Sequence, residues 1–193
     1  MMKIYYAKIG EEPDAELPEN IRRHIAEYRN ETVRRRSLCA WRLFMMMAAE
    51  EGLETPEIGF YEYGKPYFIQ PAEWHFSLSH SGEYAACALA REPVGVDIQK
   101  IRPVDLGVPR RSFSEEEQQK LRLSNAPEEE LIRIWTLKEA VVKASGLGLR
   151  QDLRYVNASA GSYKTWKLED YIVSVYCADA CELPDQVKRI FYK

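Results

Sequence analysis

Histidine and cysteine are scarce in this chain of 193 residues, and their spacing excludes the commonest soft-metal sites. There are three histidines and four cysteines, and no two cysteines form a CxxC pair. A structural zinc site needs four such ligands, usually at short spacings, so we do not expect one. We expect the cysteines to be reduced and mostly buried, as in cytosolic proteins of this size.

Long apolar runs and an excess of basic charge are also absent. The first ten residues hold no extended apolar stretch of the signal-peptide type, and no segment approaches the roughly 20 apolar residues of a transmembrane helix. The chain has 27 basic and 30 acidic residues, a net charge of −3, which argues against a general polyanion binder. We therefore expect a cytoplasmic globular protein that binds neither membrane nor nucleic acid, and in which any phosphate site is a local basic cluster.

Periodicity and capping residues predict a mixture of strands and helices. Strands and helices interleave without a βαβ period, which favours an α+β fold over an α/β fold. Each half contains one long helix and a small antiparallel sheet, so we expect two similar lobes, residues 1–99 and 100–193. Strands are predicted at 3–9, 58–61, 74–78, 84–90, 94–98, 165–168, 171–177 and 187–192, and helices at 18–28, 30–51, 114–123 and 128–145.

A first candidate for chemistry is the strand Gly95-Val96-Asp97-Ile98-Gln99. Its alternation places Asp97 and Gln99 on one face and apolar residues on the other. The polar face is either simply solvated or supplies oxygen ligands to a hard cation such as Mg²⁺, which takes one or two carboxylates together with phosphates and water.

A second candidate is the helix that contains Trp135, Glu139 and Lys143, which are spaced by four residues and lie along one stripe. Lys138 lies one step around the helix. The stripe reads either as a surface Glu–Lys pair beside a buried Trp, or as buried charges that need partners, because other faces of the helix are also apolar. A metal ion beside the glutamate and phosphates beside the lysines would supply those partners.

Three weaker signals lie nearer the N-terminus. The segment Ser79-His80-Ser81-Gly82 predicts a compact turn, ordinary or anion-accepting, and it is not the GxSxG elbow of a hydrolase. Gly64-Lys65-Pro66 predicts a turn. Arg34, Arg35 and Arg36 begin a helix and most often form a solvated face.

Taken in order, these segments resemble the 4′-phosphopantetheinyl transferase superfamily, in its larger, Sfp-like branch. The resemblance spans about residues 64–149 and is most specific in the pairing of the Gly-Val-Asp-Ile strand with the Trp-x-x-Lys-Glu helix. It implies a fold of two α+β lobes related by pseudo-twofold symmetry, with coenzyme A in the cleft, and a monomer. The motifs are Gly64-Lys65-Pro66, Phe76-Ser77-Leu78-Ser79-His80-Ser81-Gly82, Gly95-Val96-Asp97-Ile98, Phe113-Ser114-Glu115-Glu116-Glu117, and Trp135-Thr136-Leu137-Lys138-Glu139 with Lys143 and Gly146.

The resemblance also implies roles for single residues. Asp97 and Glu139 would bind Mg²⁺, and with Lys143, near the reacting phosphate, they would form the catalytic set. Gln99 stands where relatives often carry Glu; an amide oxygen still coordinates, directly or through water, but it brings no charge. Contacts to coenzyme A are implied for Lys138 at the pyrophosphate, Ser79 and His80 at the nucleotide phosphates, Lys65 and Pro66 near the adenine and 3′-phosphate, and Arg36 at the basic helix start.

The implied reaction transfers the 4′-phosphopantetheine group of coenzyme A to a serine of an apo acyl or peptidyl carrier protein and releases 3′,5′-ADP, with Mg²⁺ as cofactor. This is the activity of a holo-[acyl-carrier-protein] synthase-type enzyme, in fatty-acid, polyketide or nonribosomal-peptide synthesis. The carrier would dock on residues 101–127. The apolar candidates there are Leu106, Val108, Phe113 and Leu123, and the basic ones are Arg110, Arg111, Lys120 and Arg122.

Three alternatives stay open at this point. A non-catalytic relative would bind coenzyme A or a carrier protein without transfer, and Gln99 alone favours it. A nucleotide- or RNA-binding protein built on Arg34–Arg36 is opposed by the net acidic charge. A serine hydrolase built on Ser79 or Ser81 lacks a consistent arrangement of histidine and acid.

Overall fold

The computed structural model describes residues 2–62, 64–103, 111–146, 152–179 and 181–191. No helix among them is long and apolar enough to cross a membrane. In chain order the elements are β1 (Lys3–Lys8), α1 (Glu19–Ala26), α2 (Glu31–Glu50), β2 (Glu57–Phe60), β3 (Pro66–Gln70), β4 (His75–Ser81), β5 (Tyr84–Ala90), β6 (Val94–Lys100), α3 (Glu115–Leu123), α4 (Pro127–Ser145), a 3₁₀ turn (Leu153–Tyr155), β7 (Ser162–Leu168), β8 (Tyr171–Cys177) and β9 (Lys188–Ile190).

The two halves of the chain share one topology, which confirms the prediction of two similar α+β lobes. The first half contains β1, α2, β4 and β5 in that order, and its sheet has the order β4-β5-β1-β9, in which β9 from the end of the chain pairs parallel to β1. The second half runs β6, α4, β7, β8, and its sheet has the order β7-β8-β6. In each lobe the last strand lies in the middle and is antiparallel to both neighbours. The predicted division after residue 99 stays a prediction; β6, which ends at Lys100, pairs along its whole length with β8.

The two sheets pack face to face, and each long helix covers an outer face, so the core has four layers. On β5, Ala85, Cys87 and Leu89 face α2, whereas Ala86 and Ala88 face the second sheet. The same alternation on β8 sends one set of residues toward the first sheet and the other toward α4. Both central strands are therefore buried on both faces, which explains why they read as nearly continuous apolar runs.

Local capping residues mark three of the helix ends, of which the capping box at Ser114 and the end at Gly146 were predicted. The Asn30 side chain accepts hydrogen bonds from two backbone N–H groups in the first turn of α2. Ser114 and Glu117 form a reciprocal capping box at the start of α3. Gly146 ends α4 in the left-handed region, with a φ of 74°.

The structure differs from the sequence-based expectations in three places. Strand β3 was not predicted. Strand β4 extends to Ser81, so Ser79, His80 and Ser81 lie on a strand and only Gly82 lies in a turn. Cys177 and Cys181 form a disulfide, so the expectation of four reduced cysteines is wrong for these two.

Candidate active site

A cavity of about 690 Å³ lies between the lobes, lined by α2 and β4 on one side and by β6 and α4 on the other. Most of the residues singled out from the sequence line this cavity. They are Lys65, Pro66, Ser79, His80, Asp97, Gln99, Glu139 and Lys143.

Direct contact between the backbones of β6 and α4 positions the acidic part of the cavity. Gly95 faces the helix, where a Cβ atom would overlap the carbonyl oxygen of Ala140 and lie 2.7 Å from the backbone nitrogen of Ala144. Only glycine permits this approach. Because Asp97 lies two residues farther along the same face of β6, the close packing brings it beside Lys143, and both line the cavity with Glu139.

Asp97 is a buried carboxylate whose oxygens are held by donors from both lobes. Its side chain is 3% exposed. Ser79 Oγ donates to Oδ1 at 2.6 Å, and Lys143 Nζ donates to the same oxygen at 2.7 Å. Gln99 Nε2 donates to Oδ2 at 3.3 Å. The ammonium of Lys143 also contacts the carbonyl oxygen of Val96 at 3.1 Å, so it neutralises the acid within the protein.

Glu139 is the second carboxylate of the cavity, and it forms no hydrogen bond within the described part of the chain. Desolvation and the negative charge of Asp97 raise its pKa, and Lys143 opposes this effect. Two carboxylates that repel each other in a cavity form a site where a cation is stabilising. Gln99 lies beside them, but its amide oxygen accepts from Ser81 Oγ at 3.0 Å and its amide nitrogen is turned toward the acid.

This donor set fits a hard divalent cation in a particular way. Mg²⁺ is commonly bound by one or two carboxylates, with substrate phosphates and water as the other ligands. In the described residues, no group of three or more His, Cys, Asp or Glu side chains is arranged to hold a metal ion. Asp97 and Glu139 would therefore supply two ligands, and the remainder would come from a phosphorylated substrate and from water.

Basic side chains also face the cavity. Lys65 donates to the carbonyl oxygen of Ala144 at 3.0 Å, and burial lowers the pKa of its ammonium to about 8. Burial, Lys143 and Arg36 lower the pKa of His80. Burial is the largest cause of the lowered pKa values of Lys65 and His80, and the negative charge of a bound phosphate would oppose it.

We predict that binding of 3′,5′-ADP depends on pH through Lys65. The bound anion favours the charged ammonium, so affinity should be constant well below pH 8 and should fall by at most about tenfold per pH unit above it. Burial lowers the pKa of His80, the histidine of β4 that lines the cavity, so Lys65 is the basic group expected to dominate the profile above pH 7. Calorimetry from pH 6.5 to 9.5 checks the effect, and Lys65→Gln should bind more weakly at pH 7 with a flat profile. Equal slopes for the two proteins would show that another group is responsible.

Lys138, predicted to hold the pyrophosphate, does not line this cavity. A helix turns by about 100° per residue, so the neighbour of Glu139 projects from another face. The ammonium of Lys138 is buried against the carbonyl oxygens of Leu153 and Val156 at 2.7 and 3.2 Å, and it forms an ion pair with Glu117 at 2.9 Å. Its position joins α4 to the capping box of α3 and to the 3₁₀ turn.

We expect Lys138→Met to lower stability without weakening binding of coenzyme A. The substitution removes the charge that pairs with Glu117 and leaves two carbonyl groups unsatisfied, a loss of about 3 kcal/mol. Thermal unfolding and calorimetric titration with coenzyme A measure the two effects. Lys143→Met is the contrasting variant. Lys143 lines the cavity, so this substitution should weaken the binding of coenzyme A. A large loss of affinity in Lys138→Met alone would restore the sequence-based assignment.

Three other expectations fare differently. Arg36 does not line the cavity; its Nε donates to the carbonyl oxygen of Gly82 at 2.9 Å, and its charge acts on His80. Phe113, predicted to contact a carrier protein, is fully buried with the apolar residues of α3 and α4, whereas Leu123 is 75% exposed. Leu106, Val108 and Arg110 lie outside the described residues.

The structure also adds residues that the sequence did not single out. One part of the cavity wall is aromatic, formed by His24, Tyr28 and Trp41 beside Phe76, which the sequence had marked only as part of the motif at 76–82. No local motif marks the first three, because they come from α1, the loop that follows it and α2, and meet only in the fold. The alternating serines of β4 were visible in the sequence, but their partners on the other lobe were not.

The fold and the cavity define a class of protein: two α+β lobes of equal topology, with a carboxylate pair and basic side chains around the cavity between them. A family model described as the 4′-phosphopantetheinyl transferase superfamily matches residues 93–175.

Curated relatives extend the match beyond that segment. The chain is 36% identical over 152 residues to the 4′-phosphopantetheinyl transferase AcpT of Salmonella typhi, which covers 76% of this chain and 75% of that protein. It is 36% identical over 124 residues to 4′-phosphopantetheinyl transferase psf-1 of Bacillus pumilus, covering 60% and 53%, respectively. It is 28% identical over 150 residues to Sfp of Bacillus subtilis (strain 168), covering 68% and 67%. Against psf-1 and the Bacillus subtilis protein ffp, the chain spans about half the length of the relative.

This chain belongs to the 4′-phosphopantetheinyl transferase superfamily, and its similarity to Sfp, psf-1 and ffp supports the Sfp-like branch.

Proposed function

We propose that this protein transfers the 4′-phosphopantetheine group of coenzyme A to a serine of an apo carrier protein and releases 3′,5′-ADP. The observation that carries the proposal is the grouping of Asp97, Glu139, Lys143 and Lys65 around one cavity of about 690 Å³ between the lobes. Two acids that can share a cation, beside Lys65, whose ammonium has no anionic partner within the described residues, suit a pyrophosphate ligand.

The basic residues bind and orient the substrate. Lys65, whose only hydrogen bond in the described structure is to a carbonyl oxygen, gains an anionic partner when the nucleotide phosphates enter. Burial lowers the pKa of His80, and its imidazole contributes an N–H donor to a phosphate oxygen. Lys143 is paired with Asp97 and also lines the cavity. If a divalent cation replaced the ammonium of Lys143 beside Asp97, that ammonium could donate to a phosphate oxygen.

The acidic residues hold the cation and accept the proton. Asp97 and Glu139 would bind Mg²⁺, which supplies electrostatic stabilisation of the charge that develops on the phosphate oxygens. A serine hydroxyl is a weak nucleophile and needs a base. The carboxylate of Glu139 is suited to that role, because it lines the cavity and forms no hydrogen bond within the described residues, so an oxygen is free to accept the proton. The attacking oxygen bonds to the β-phosphorus of coenzyme A, and the bond to the 3′,5′-ADP oxygen breaks.

The carrier protein would dock beside the cavity on the segment between β6 and α4. Carrier proteins are typically acidic, so basic residues there are the natural complements. Lys120 and Arg122 lie on α3 next to the exposed Leu123, and Arg111 precedes that helix. The identity of the carrier, the pathway, a monomeric state and a cytosolic location stay predictions.

The proposal is tested by release of 3′,5′-ADP from coenzyme A, followed by chromatography. Release should require both an apo carrier protein and Mg²⁺, and it should stop when the acceptor serine is already modified. A non-catalytic relative, the alternative that Gln99 favours, would bind coenzyme A but release no 3′,5′-ADP with any apo carrier. That outcome would refute the transferase proposal and leave the binding function.

A further inference from the structure

The two lobes meet at a pair of sheet edges that are joined through serine side chains. Strand β4 lies at the edge of the first sheet and β6 at the edge of the second. An edge strand has unpaired N–H groups, which need partners when they are buried. Every second residue of β4, from Ser77 to Ser81, supplies a hydroxyl oxygen that accepts from one of these N–H groups. The backbone N–H groups of Val96, Ile98 and Lys100 donate to the Oγ atoms of Ser77, Ser79 and Ser81 at 3.0, 3.2 and 3.3 Å.

The direction of these hydrogen bonds determines where the hydroxyl hydrogens go. A serine hydroxyl has a single hydrogen to donate. Since Ser79 Oγ accepts from the N–H of Ile98, its own hydrogen is free to donate, and the acceptor is Oδ1 of Asp97 at 2.6 Å. Ser81 repeats the pattern with Gln99 Oε1 at 3.0 Å as the acceptor. The amide nitrogen of Gln99 then donates to Oδ2 of Asp97.

This arrangement is at odds with a phosphate contact for Ser79. Phosphate oxygens accept hydrogen bonds, so a serine that binds phosphate must donate its hydrogen. Ser79 is 6% exposed, and its hydrogen is committed to a carboxylate that is itself buried. Donation to a phosphate would leave Asp97 without that partner.

We propose that Ser79 is a positioning residue, whose hydroxyl holds the carboxylate of Asp97 in the orientation needed to bind the divalent cation and does not donate to the nucleotide phosphates. The inference rests on the proposed function, because it concerns the same site. In this arrangement the hydroxyl of Ser79, on the first lobe, orients the carboxylate of Asp97, on the second lobe. Relative movement of the lobes would therefore change the cation site directly.

Ser77 provides a matched control within the same strand. Its Oγ accepts from the N–H of Val96 at 3.0 Å, and it is 4% exposed, but no hydrogen bond joins it to either carboxylate of the cavity. Ser77→Ala and Ser79→Ala therefore remove the same kind of contact between the lobes. Only Ser79→Ala also removes a donor to Asp97.

The test compares binding of Mn²⁺, as a spectroscopic substitute for Mg²⁺, to the full chain saturated with coenzyme A, by electron paramagnetic resonance and calorimetry. Both variants should show a similar fall in melting temperature. Ser79→Ala should lower Mn²⁺ affinity by about tenfold or more, as is typical when a partner of a metal ligand is lost, and Ser77→Ala should stay within about twofold of the parent protein. Ser79→Thr keeps the hydroxyl and should restore most of the affinity.

If Ser79→Ala does not fold, Ser79→Cys takes its place, because a thiol fills similar space and donates only weakly. Equal Mn²⁺ affinities for the Ser79 and Ser77 variants would overturn the inference and leave the transferase proposal intact. Failure of the parent protein to bind Mn²⁺ in the presence of coenzyme A would overturn both.

Discussion

Replacement of Glu139 by glutamine is expected to lower the rate of phosphopantetheinyl transfer by about a thousandfold or more. The amide keeps the shape of the side chain but removes a negative charge from the cavity and cannot accept the serine proton. The fold should be unchanged, because Glu139 forms no hydrogen bond within the described residues and its charge is unfavourable beside Asp97. Single-turnover transfer to an apo carrier protein, with circular dichroism as a check on folding, measures the effect.

A control for this variant lies on the same helix. Glu128 is an exposed residue in the first turn of α4, remote from the cavity lining. Glu128→Gln removes the same charge from the same helix and should transfer at the parental rate. Near-normal transfer by the Glu139 variant would remove this residue from the catalytic set.

Replacement of Gly95 by alanine is expected to destabilise the fold strongly. The added methyl group would overlap the backbone carbonyl of Ala140, and no side-chain rotation relieves a contact with backbone. Helix α4 would have to move away from β6, and Glu139 and Lys143 would move with it. Overpacking of this kind costs about 3 kcal/mol, which corresponds to a fall in melting temperature of roughly 10 °C in a protein of this size. Transfer activity should fall as well, in the fraction that remains folded.

Gly59→Ala is the matched control for that prediction. Gly59 also lies in a strand, and its added methyl group would meet the ring of Tyr67, a side chain that can swing away. Its effect on the melting temperature should be a small fraction of that of Gly95→Ala. Similar shifts for both variants, measured by calorimetry, would mean that the backbone contact between β6 and α4 is not special.

The elements of the fold that sequence predicted well are those with local signals. Asn30, the capping box of Ser114 and Glu117, and Gly146 each mark a helix end through interactions within a few residues. The alternation along β6 correctly separated the apolar face from the face of Asp97. Two long helices and two small sheets followed from such signals, and so did the expectation of two similar lobes.

What could not be predicted depends on contacts between distant segments. The sequence around Gly95 does not indicate that α4 packs against it, because Ala140 is far away in sequence. The hydroxyl of Ser79 finds its acceptor on the other lobe, so its role in the strand pair was not apparent from a segment that read as a turn. The motif predicted that Lys138 binds the pyrophosphate. Lys138 is one residue from Glu139 on α4, so its side chain projects from another face of the helix and pairs with Glu117.

If Asp97 and Glu139 serve a cation-dependent transfer to a carrier protein, an apo carrier protein should gain mass. The most direct test is the intact mass of an apo carrier protein after incubation with this protein, coenzyme A and Mg²⁺, with EDTA as a control. We expect a gain of one phosphopantetheine group that EDTA abolishes and that Glu139→Gln does not produce. An unchanged mass across acyl and peptidyl carriers, or a gain that persists in EDTA, would contradict this expectation.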